Sequence, residues 1–356
     1  SNKPMSPRER VLTTLARREP DRVPKMLGFF PISLPQTSPQ EPEDYFEMEI
    51  RFAEFEPPPQ QDNFIRFLEN LPVEVRIGDV RALQTYHEWG YHPEIEGLRP
   101  LLSAKTVEEL SAYPLPDTTA EYRYRGLHQK VQAWQARGLA VMGSPPHLGG
   151  ELFETAWRLR GFETFLTDLI LNKELASYLL DQITEMAVHS CIILAQAGVD
   201  ILALDDDVGM PTMMIISPET WREFLKPRLA RIIQLARAAK PDIFVFYHSD
   251  GYIEPIIPDL IEIGVDVLNP VQPDVMDPAK LKAEYGDRLA FWGTVGTATT
   301  WAWGTPEEIR REVRERIETV GKGGGLIISP AYDIEPDVPW ENIVAFFEAV
   351  EEFGVY

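Results

Sequence analysis

A histidine and an aspartate stand two positions apart, His248 and Asp250, at the polar end of an apolar stretch that spans residues 243–251. Residues two apart in an extended strand point to the same side, so the two side chains can share a metal ion or exchange a proton. We therefore predict that His248 is catalytic and that His248 and Asp250 bind zinc or another divalent metal. The alternative is a histidine that only fixes the glycine turn at Gly251 by hydrogen bonds.

Three consecutive aspartates, Asp205, Asp206 and Asp207, end the preceding apolar stretch. Adjacent carboxylates can bind a hard cation, act as acid and base, or cap the loop that follows. We interpret Asp206 and Asp207 as catalytic, although strand alternation turns only one of two neighbours inward. Tyr332 follows the last apolar stretch and is a further catalytic candidate, because it can donate a proton or bind a metal. A tyrosine at the edge of the core is the alternative.

Polar and aromatic residues at the ends of other apolar stretches can contact a substrate. His147 follows the stretch at residues 139–144, and a loop histidine without a special role is the alternative for it. Trp292 can line a pocket, although an aromatic residue at such a position is more often a packing group. The predicted substrate-binding residues are His147, Asn269, Gln272, Trp292 and Thr294.

These residues require a scaffold that brings the ends of several strands together. Four apolar stretches, at residues 243–251, 265–273, 289–296 and 325–333, show no apolar/polar alternation, which indicates strands of a parallel sheet buried on both faces. Helix-like segments lie between them. The pattern predicts an α/β fold, a TIM (β/α)8 barrel whose active site lies at the carboxyl ends of the strands. Further strands are predicted at residues 23–30, 139–144 and 199–205, and the eighth is not located.

The region of residues 31–126 differs in kind from the rest. It contains consecutive prolines at positions 57–59, many aromatic and acidic residues, and no regular alternation of strands and helices. We predict one domain over residues 1–356, with this region as an inserted elaboration of the barrel. The elaboration either covers the barrel mouth or forms the subunit contact of a homodimer.

The composition excludes several classes of function. A formal net charge of −22 over 356 residues leaves no broad basic surface, which argues against nucleic acid and acidic membranes as partners. The single cysteine, Cys191, excludes internal disulfides and any metal site built on a cysteine pair. It fits a reducing compartment, and the first residues show no apolar signal segment, so we expect a cytoplasmic location.

Several motifs together resemble the uroporphyrinogen decarboxylase superfamily, in the same order and over nearly the whole chain. They are MSPRERVLTTLARREPDRVP at residues 5–24, DDVG at 206–209, ISPE at 216–219, HSDG at 248–251, GVDVLNPVQP at 264–273, FWG at 291–293, GTPEE at 304–308 and PWENI at 339–343. The resemblance implies a TIM barrel with one of two chemistries. One is cofactor-free decarboxylation of uroporphyrinogen; the other is zinc-dependent methyl transfer between corrinoid proteins and thiols or other acceptors.

The chain departs from the pattern of both activities. The decarboxylases carry an arginine-rich segment after the first Pro-Val of the barrel, whereas here Lys25 is the only basic residue of that stretch. In the methyltransferases, zinc is held by a His-x-Cys pair and a distant cysteine. His248 matches that histidine, but Asp250 stands at the first cysteine and Tyr332 or a neighbour stands near the second. A zinc site rich in thiolates is thereby excluded, while a His/Asp site with an oxygen ligand fits.

We therefore expect an enzyme that acts on a small or medium, partly apolar substrate. The first hypothesis is methyl transfer or demethylation, assisted by a metal at His248 and Asp250 and served by a corrinoid protein as partner. The alternative is decarboxylation through acid–base chemistry of Asp206 and Asp207. A third hypothesis is a binding protein without catalysis; all three rest on analogy at the level of the fold.

Overall fold

A computed structural model of the chain, which describes residues 3–58, 62–76, 78–95 and 97–356, has a parallel β-sheet at its centre. Seven strands follow one another in the sheet in sequence order, and every neighbouring pair is parallel. The strands are β1 (Ile50–Ala53), β2 (Ala140–Gly143), β3 (Ile201–Asp205), β4 (Phe244–His248), β5 (Val267–Asn269), β6 (Ala290–Val295) and β7 (Leu326–Pro330). Strands β2, β5, β6 and β7 are buried along their whole length, as expected for a sheet covered on both faces.

Helices connect and surround these strands. The α-helices are α1 (Pro7–Leu15), α2 (Pro42–Tyr45), α3 (Asp62–Glu69), α4 (Val73–Arg76), α5 (Val80–Trp89), α6 (Val107–Ala112), α7 (Leu127–Ala136), α8 (Phe153–Arg160), α9 (Phe162–Leu171), α10 (Lys173–Ala197), α11 (Pro218–Phe224), α12 (Lys226–Ala239), α13 (Ile257–Glu262), α14 (Pro278–Tyr285), α15 (Thr300–Trp303), α16 (Pro306–Arg316) and α17 (Trp340–Phe353). Short 3₁₀ turns lie at Pro35–Thr37, Glu121–Arg123 and Glu254–Ile256, and a π-helical turn lies at Ile317–Gly321. None of these helices combines the length and the apolar composition that a membrane crossing requires.

The α/β class and the parallel strand order are confirmed, but the strand predicted at residues 23–30 is wrong. That segment forms a single bridge to β7, in which Met26 N donates to Ile328 O (3.0 Å) and Ile328 N donates to Pro24 O (2.9 Å). Pro24 lacks an N–H group and so cannot continue a ladder in both directions. Within the described residues the sheet therefore has seven strands, not the eight of a complete barrel.

The first strand, β1, lies inside the region predicted as an elaboration. Its sequence, IRFA, is short and contains Arg51, so it lacks the apolar stretch that marks the other strands. The Arg51 guanidinium donates to the carbonyl of Met48 (2.8 Å) and to Asp44 Oδ1 (2.7 Å), which compensates its burial. Residues 31–126 thus supply a strand of the central sheet as well as helices α2 to α6. A small apolar cluster of Phe64, Leu71 and Leu83 packs within this region.

The two near-identical segments GVDIL and GVDVL, at residues 198–202 and 264–268, play the same structural part. Asp200 and Asp266 each accept a hydrogen bond from a backbone N–H of the preceding strand (3.0 and 2.8 Å). Each also pairs with an arginine, Arg8 for Asp200 (2.9 Å) and Arg237 for Asp266 (2.6 Å). Both carboxylates precede their strands and lie at the opposite end of the sheet from the strand tips, where they join strands to surrounding helices.

Candidate functional site

Three polar side chains form a row across the carboxyl ends of β3, β4 and β5. Asp205 ends β3 and pairs in register with His248, which ends β4; His248 pairs in turn with Asn269, which ends β5. Parallel strands align their carboxyl ends at one edge, so residues far apart in sequence become neighbours there. The expected convergence of these strand tips is therefore present in the structure.

The orientation of the His248 ring is set by its neighbours. Asn269 Nδ2 donates to the carbonyl of Trp292 (2.8 Å), which turns Asn269 Oδ1 toward the histidine. His248 Nδ1 lies 2.5 Å from that oxygen and donates to it. His248 Nε2 consequently faces the opposite way, 3.3 Å from Asp207 Oδ1 and 3.5 Å from Asp250 Oδ1. Proteins usually orient a metal-binding histidine by a hydrogen bond from its other ring nitrogen to an oxygen acceptor.

His248, Asp207 and Asp205 form a group that fits a divalent metal. Each offers one ligand atom, and the three atoms lie within 4.8 Å of one another. A tetrahedral ion with bonds of about 2 Å needs donors roughly 3.4 Å apart, close to the spacing of His248 and Asp207. Asp250, the predicted ligand, stands beside this group. The only cysteine, Cys191, is buried on α10 and is not part of it, so the donor set is nitrogen and oxygen.

Burial and neighbouring charges shift the pKa values of Asp205, His248 and Asp207. Burial raises the pKa of Asp205 to about 8, against the opposing effect of His248. Burial alone would lower the pKa of His248, but Asp205, Asp207 and Asp250 raise it well above its ordinary value. Burial raises the pKa of Asp207, but the hydrogen bond and charge of His248, together with the hydrogen bond from the Asp250 N–H, outweigh this and leave the pKa below the ordinary value. In the absence of a metal, His248 and Asp207 therefore form an imidazolium–carboxylate pair.

Asp206 requires a correction, because it does not face this site. Its carboxylate accepts hydrogen bonds from the backbone N–H groups of Phe153 (2.9 Å) and Glu154 (3.1 Å), at the start of α8. The carboxylate thus caps a helix whose first N–H groups would otherwise be unpaired. Strand alternation sends Asp205 and Asp207 to the mouth and Asp206 to the helix. Asp205, which the sequence interpretation passed over, takes the place proposed for Asp206.

A cavity of about 430 Å³ opens at the mouth beside this row. Four of the residues predicted as site residues line it: His147, Asp207, His248 and Asp250. Phe29 stacks on the His248 ring at a centroid distance of 4.3 Å and forms an apolar wall. The carboxyl groups that line the cavity are those of Glu54, Glu154, Asp205, Asp207, Asp250 and Asp333.

His147 stands between this cavity and a second, smaller one. The second cavity, of about 200 Å³, shares Glu54, Ser144 and His147 with the first and is walled by the region of α5. Burial, reinforced by the nearby charge of Arg158, lowers the pKa of His147 to about 4, so its ring is neutral. His147 Nε2 lies 3.9 Å from Glu151 Oε2. The predicted contact of His147 with a substrate stays a proposal that its position allows.

Two predicted substrate-binding residues hold catalytic candidates in place. Asn269 orients His248, as described above. Gln272 accepts a hydrogen bond from the backbone N–H of Gly251 (2.9 Å) and donates to Asp250 Oδ1 (3.1 Å). Neither Asn269 nor Gln272 lines the cavity. Their positions support an indirect role, in which they fix the side chains that face the substrate.

The remaining predicted residues lie away from the cavity lining. Trp292 is fully buried and packs edge-on against Phe246, with ring centroids 5.0 Å apart. Thr294 is also fully buried and has a positive φ of 80°, a strained value for a β-branched residue. The Tyr332 hydroxyl donates to Asp274 at the rim (2.6 Å), and burial and this carboxylate raise its pKa. A direct contact of Trp292, Thr294 or Tyr332 with the substrate is therefore not supported by their placement.

Two residues of helix α8 reach the cavity, although the sequence interpretation assigned them no role at a metal site. Burial, together with Asp207 and Asp206, raises the pKa of Glu154 to about 9. Arg158 lies one turn later and donates to Glu154 Oε2 from Nε (3.3 Å) and from Nη2 (3.2 Å). Glu154 and Arg158 are four residues apart on a helix that follows a strand tip, and this spacing could have indicated that both side chains face the cavity.

Comparisons with known proteins place this geometry in context. A family model described as uroporphyrinogen decarboxylase (URO-D) matches residues 98–353. The methylcobamide:CoM methyltransferase MtaA of Methanosarcina barkeri is 29% identical over 191 residues, which cover 54% of this chain and 53% of that relative. The uroporphyrinogen decarboxylase of Psychromonas ingrahamii is 26% identical over 289 residues, which cover 78% of this chain and 76% of that relative. The matched region thus spans only about half the length of MtaA.

A solved structure has a similar fold. It is a methyltransferase from Methanosarcina mazei, which superimposes with a TM-score of 0.63 at 21% sequence identity and covers 98% of this chain and 99% of its own. At this identity the likeness concerns the fold. The named relatives include both a methyltransferase and a decarboxylase, the two activities that the sequence motifs imply.

Proposed function

Because the chain belongs to the uroporphyrinogen decarboxylase (URO-D) family of enzymes, we propose that it transfers a methyl group to or from a small or medium substrate, assisted by a divalent metal. The observation that supports this proposal is the group of His248, Asp205 and Asp207, whose ligand atoms lie within 4.8 Å of one another. Zinc and other metals that accept nitrogen and oxygen donors fit this set. A divalent ion held there would act as a Lewis acid toward a substrate oxygen, nitrogen or sulfur atom.

The side chains around the metal group have separate tasks in this proposal. Asn269 keeps His248 Nε2 directed into the cavity, and Phe29 covers one face of the ring and excludes water from it. Asp250, held by Gln272, is placed to accept a proton from the substrate as the methyl group moves. We also infer that residues 24–26, which bridge to β7, take the place of the eighth strand and complete a TIM barrel around this site.

A corrinoid protein is the partner that the proposal requires. The relative from Methanosarcina barkeri bears the name methylcobamide:CoM methyltransferase, so its methyl donor is a corrinoid. The 430 Å³ cavity opens at the mouth of the sheet, which is where a carrier would approach the metal group from outside. We propose a corrinoid protein as the methyl carrier for this chain as well.

Methyl transfer from methylcobalamin to a panel of small thiols and phenols tests the proposal, with free methylcobalamin as the probe for the protein-bound corrinoid. The loss of the methyl–cobalt bond changes the absorbance of the cobalamin, which gives the rate. We expect turnover that falls by about a hundredfold or more in His248→Ala, in line with the loss of an essential catalytic group. His189→Ala, at an exposed histidine on α10, is the matched control and retains the rate. Absence of transfer in either direction after metal loading would overturn the proposal.

Decarboxylation is a second candidate, favoured by the protonated carboxyl groups of the cavity. With pKa values of about 9 and 8, Glu154 and Asp205 can donate a proton to carbon after loss of carbon dioxide.

Uroporphyrinogen itself fits poorly as a substrate, since its many carboxylates need several cations. Lys25 is engaged with Glu47 O (3.0 Å) and Glu49 Oε1 (3.5 Å) and does not line the cavity. We expect no conversion of uroporphyrinogen to coproporphyrinogen under anaerobic conditions. A chain that binds ligand but catalyses neither reaction would be a binding protein.

A further inference from the structure

Arg158 is the one lysine or arginine among the described residues that line the cavity. The other ionisable side chains on that wall, apart from His147 and His248, are carboxyl groups. An arginine keeps its positive charge at every physiological pH, and its planar group matches a carboxylate in shape. Arg158 therefore gives one part of the cavity wall a permanent positive charge.

Among the residues that the structure describes, the hydrogen-bond partners of Arg158 engage only part of its guanidinium. Nε and Nη2 donate to Glu154 Oε2 (3.3 and 3.2 Å), and Nη1 donates to the Tyr91 hydroxyl (2.9 Å). These contacts use three of the five N–H groups of an arginine. The remaining two lie one on each terminal nitrogen, and the side chain retains 23% of its exposure. The partners therefore fix the group while leaving a donor pair available.

Arg160, two residues further along α8, has a structural role and serves as a comparison for Arg158. Its side chain is only 4% exposed, and it donates to both carboxylate oxygens of Asp168 and to the backbone carbonyls of Leu101 and Ala104. Arg160 serves to hold α8 against its surroundings and has little left to offer a ligand. Arg158 differs in its exposure, in its uncommitted donors and in facing the cavity.

The chain also keeps space beside Arg158. Gly149 has a positive φ of 84°, and a Cβ atom at that position would lie 2.5 Å from Arg158 Nε and 2.6 Å from Glu154 Oε2. Any larger residue would push the guanidinium and the carboxyl group out of place. The loop that follows β2 is thus shaped around this pair.

We propose that Arg158 binds a negatively charged carboxylate group of the substrate while the reacting atom faces His248. This inference rests on the proposed function for the position of the reacting end. Glu154 accepts from Arg158 and lines the same cavity as Asp207, so one carboxyl group lies between the metal group and the guanidinium. The substrate is accordingly a short acid, with the anionic group a few atoms from the reacting atom. A divalent ion at His248, Asp205 and Asp207 offsets the negative field that would otherwise repel such an acid.

The experiment compares two probes of equal length, 3-mercaptopropionate and 3-mercaptopropionamide, by isothermal titration of the full chain with and without added zinc. In the wild-type protein the acid should bind about tenfold or more tightly than the amide, as expected for a charge-assisted pair. The preference should fall below about twofold in Arg158→Gln and remain in part in Arg158→Lys. Arg314→Gln is the matched control, because Arg314 also pairs with a glutamate four residues away but lies outside the cavity. It should retain the full preference.

The binding preference for acid over amide can contradict the proposed role of Arg158 in several ways. Equal affinity of acid and amide for the wild-type protein, including no detectable binding of either, contradicts the proposal, as does an unchanged preference in Arg158→Gln. Should Arg158→Gln fail to fold, Tyr91→Phe, which removes only the hydroxyl partner, is expected to reduce the preference several-fold, and an unchanged preference there counts against the proposal. A preference for the acid that persists in protein unable to bind zinc would support the role of Arg158 while removing the proposed metal.

Discussion

His248 and Asn269 end neighbouring strands, and their side chains are joined by a hydrogen bond of 2.5 Å from the ring Nδ1 to the amide oxygen. Asn269 is itself fixed by its bond to the Trp292 carbonyl. The consequence is that His248 presents Nε2, and not Nδ1, to the cavity. The pairing of β4 with β5 thereby determines which nitrogen is available to a metal.

Replacement of Asn269 tests this relationship. Asn269→Ala leaves the ring free to rotate, so we expect zinc affinity to fall by about 10- to 100-fold, the range seen for residues that orient a metal ligand. Competition with a chromophoric chelator gives the dissociation constant. Asn342→Ala, at a buried asparagine that bonds to the carbonyls of Trp301 and Gly304, controls for a general loss of stability. Equal losses of affinity in the two variants would show that Asn269 has no specific role.

Metal binding should depend on pH in a defined direction. The pKa of His248 is raised above its ordinary value by Asp205, Asp207 and Asp250, and a metal requires the neutral ring, so binding must displace a proton. Zinc affinity should therefore rise as pH increases toward the raised pKa, by about tenfold per pH unit for each displaced proton, and Asp205, whose pKa is about 8, contributes a second proton. Titrations between about pH 6 and 8 measure the slope. An affinity that is independent of pH over this range would contradict the assignment of His248 as a ligand.

Asp206 and Asp207 should behave in opposite ways despite being adjacent. Asp206→Ala leaves the buried N–H groups of Phe153 and Glu154 without their acceptor, so we expect a loss of about 2–4 kcal/mol in the free energy of unfolding. Asp207→Ala should instead reduce zinc affinity strongly with a smaller loss of stability. Urea denaturation and chelator competition on both variants separate the two effects. A dominant loss of zinc affinity in Asp206→Ala would reverse the roles assigned to the two residues.

Gly149 and Gly126 form a matched pair for the space around Arg158. Both have a positive φ, 84° and 79°, so an alanine at either position carries the same backbone strain of roughly 1 kcal/mol. A Cβ at Gly149 would collide with Arg158 and Glu154, whereas a Cβ at Gly126 has nothing within 4 Å. We expect Gly149→Ala to lose clearly more unfolding free energy than Gly126→Ala, measured by denaturant titration. Equal losses would mean that the loop tolerates a side chain beside Arg158.

Strands β2 to β7 could be predicted because each is a buried apolar stretch that ends in a polar tip. β1 could not, because it has four residues and contains Arg51, whose charge is compensated by contacts that only the folded chain provides. Residues 23–30 show the reverse error: their composition is that of a strand, but Pro24 prevents a continuous ladder. The α/β class with a parallel sheet was therefore accessible from the sequence, while the position of the first strand depended on tertiary contacts.

The sequence predicts which strand ends carry the candidate site, but not which of their side chains face the cavity. His248 and Asp250 were found because they are two residues apart, and the same rule applied from Asp207 would have selected Asp205 over Asp206. Arg158 was harder to assign, since a helix residue can face solvent or cavity and the sequence contains no measure of helix rotation about its axis. The roles of Asn269 and Gln272 as supports were not predictable, because they arise from pairing between strands.

If His248, Asp205 and Asp207 hold a divalent metal at the mouth of the sheet, as we propose, the purified protein must retain that metal. Purified protein is loaded with zinc, freed of excess metal and analysed by mass spectrometry for ions per chain. We expect about one ion per chain in the wild-type protein and in His189→Ala, and far less in His248→Ala and in the double variant Asp205→Asn/Asp207→Asn. A wild-type content no higher than that of His248→Ala would contradict the claim.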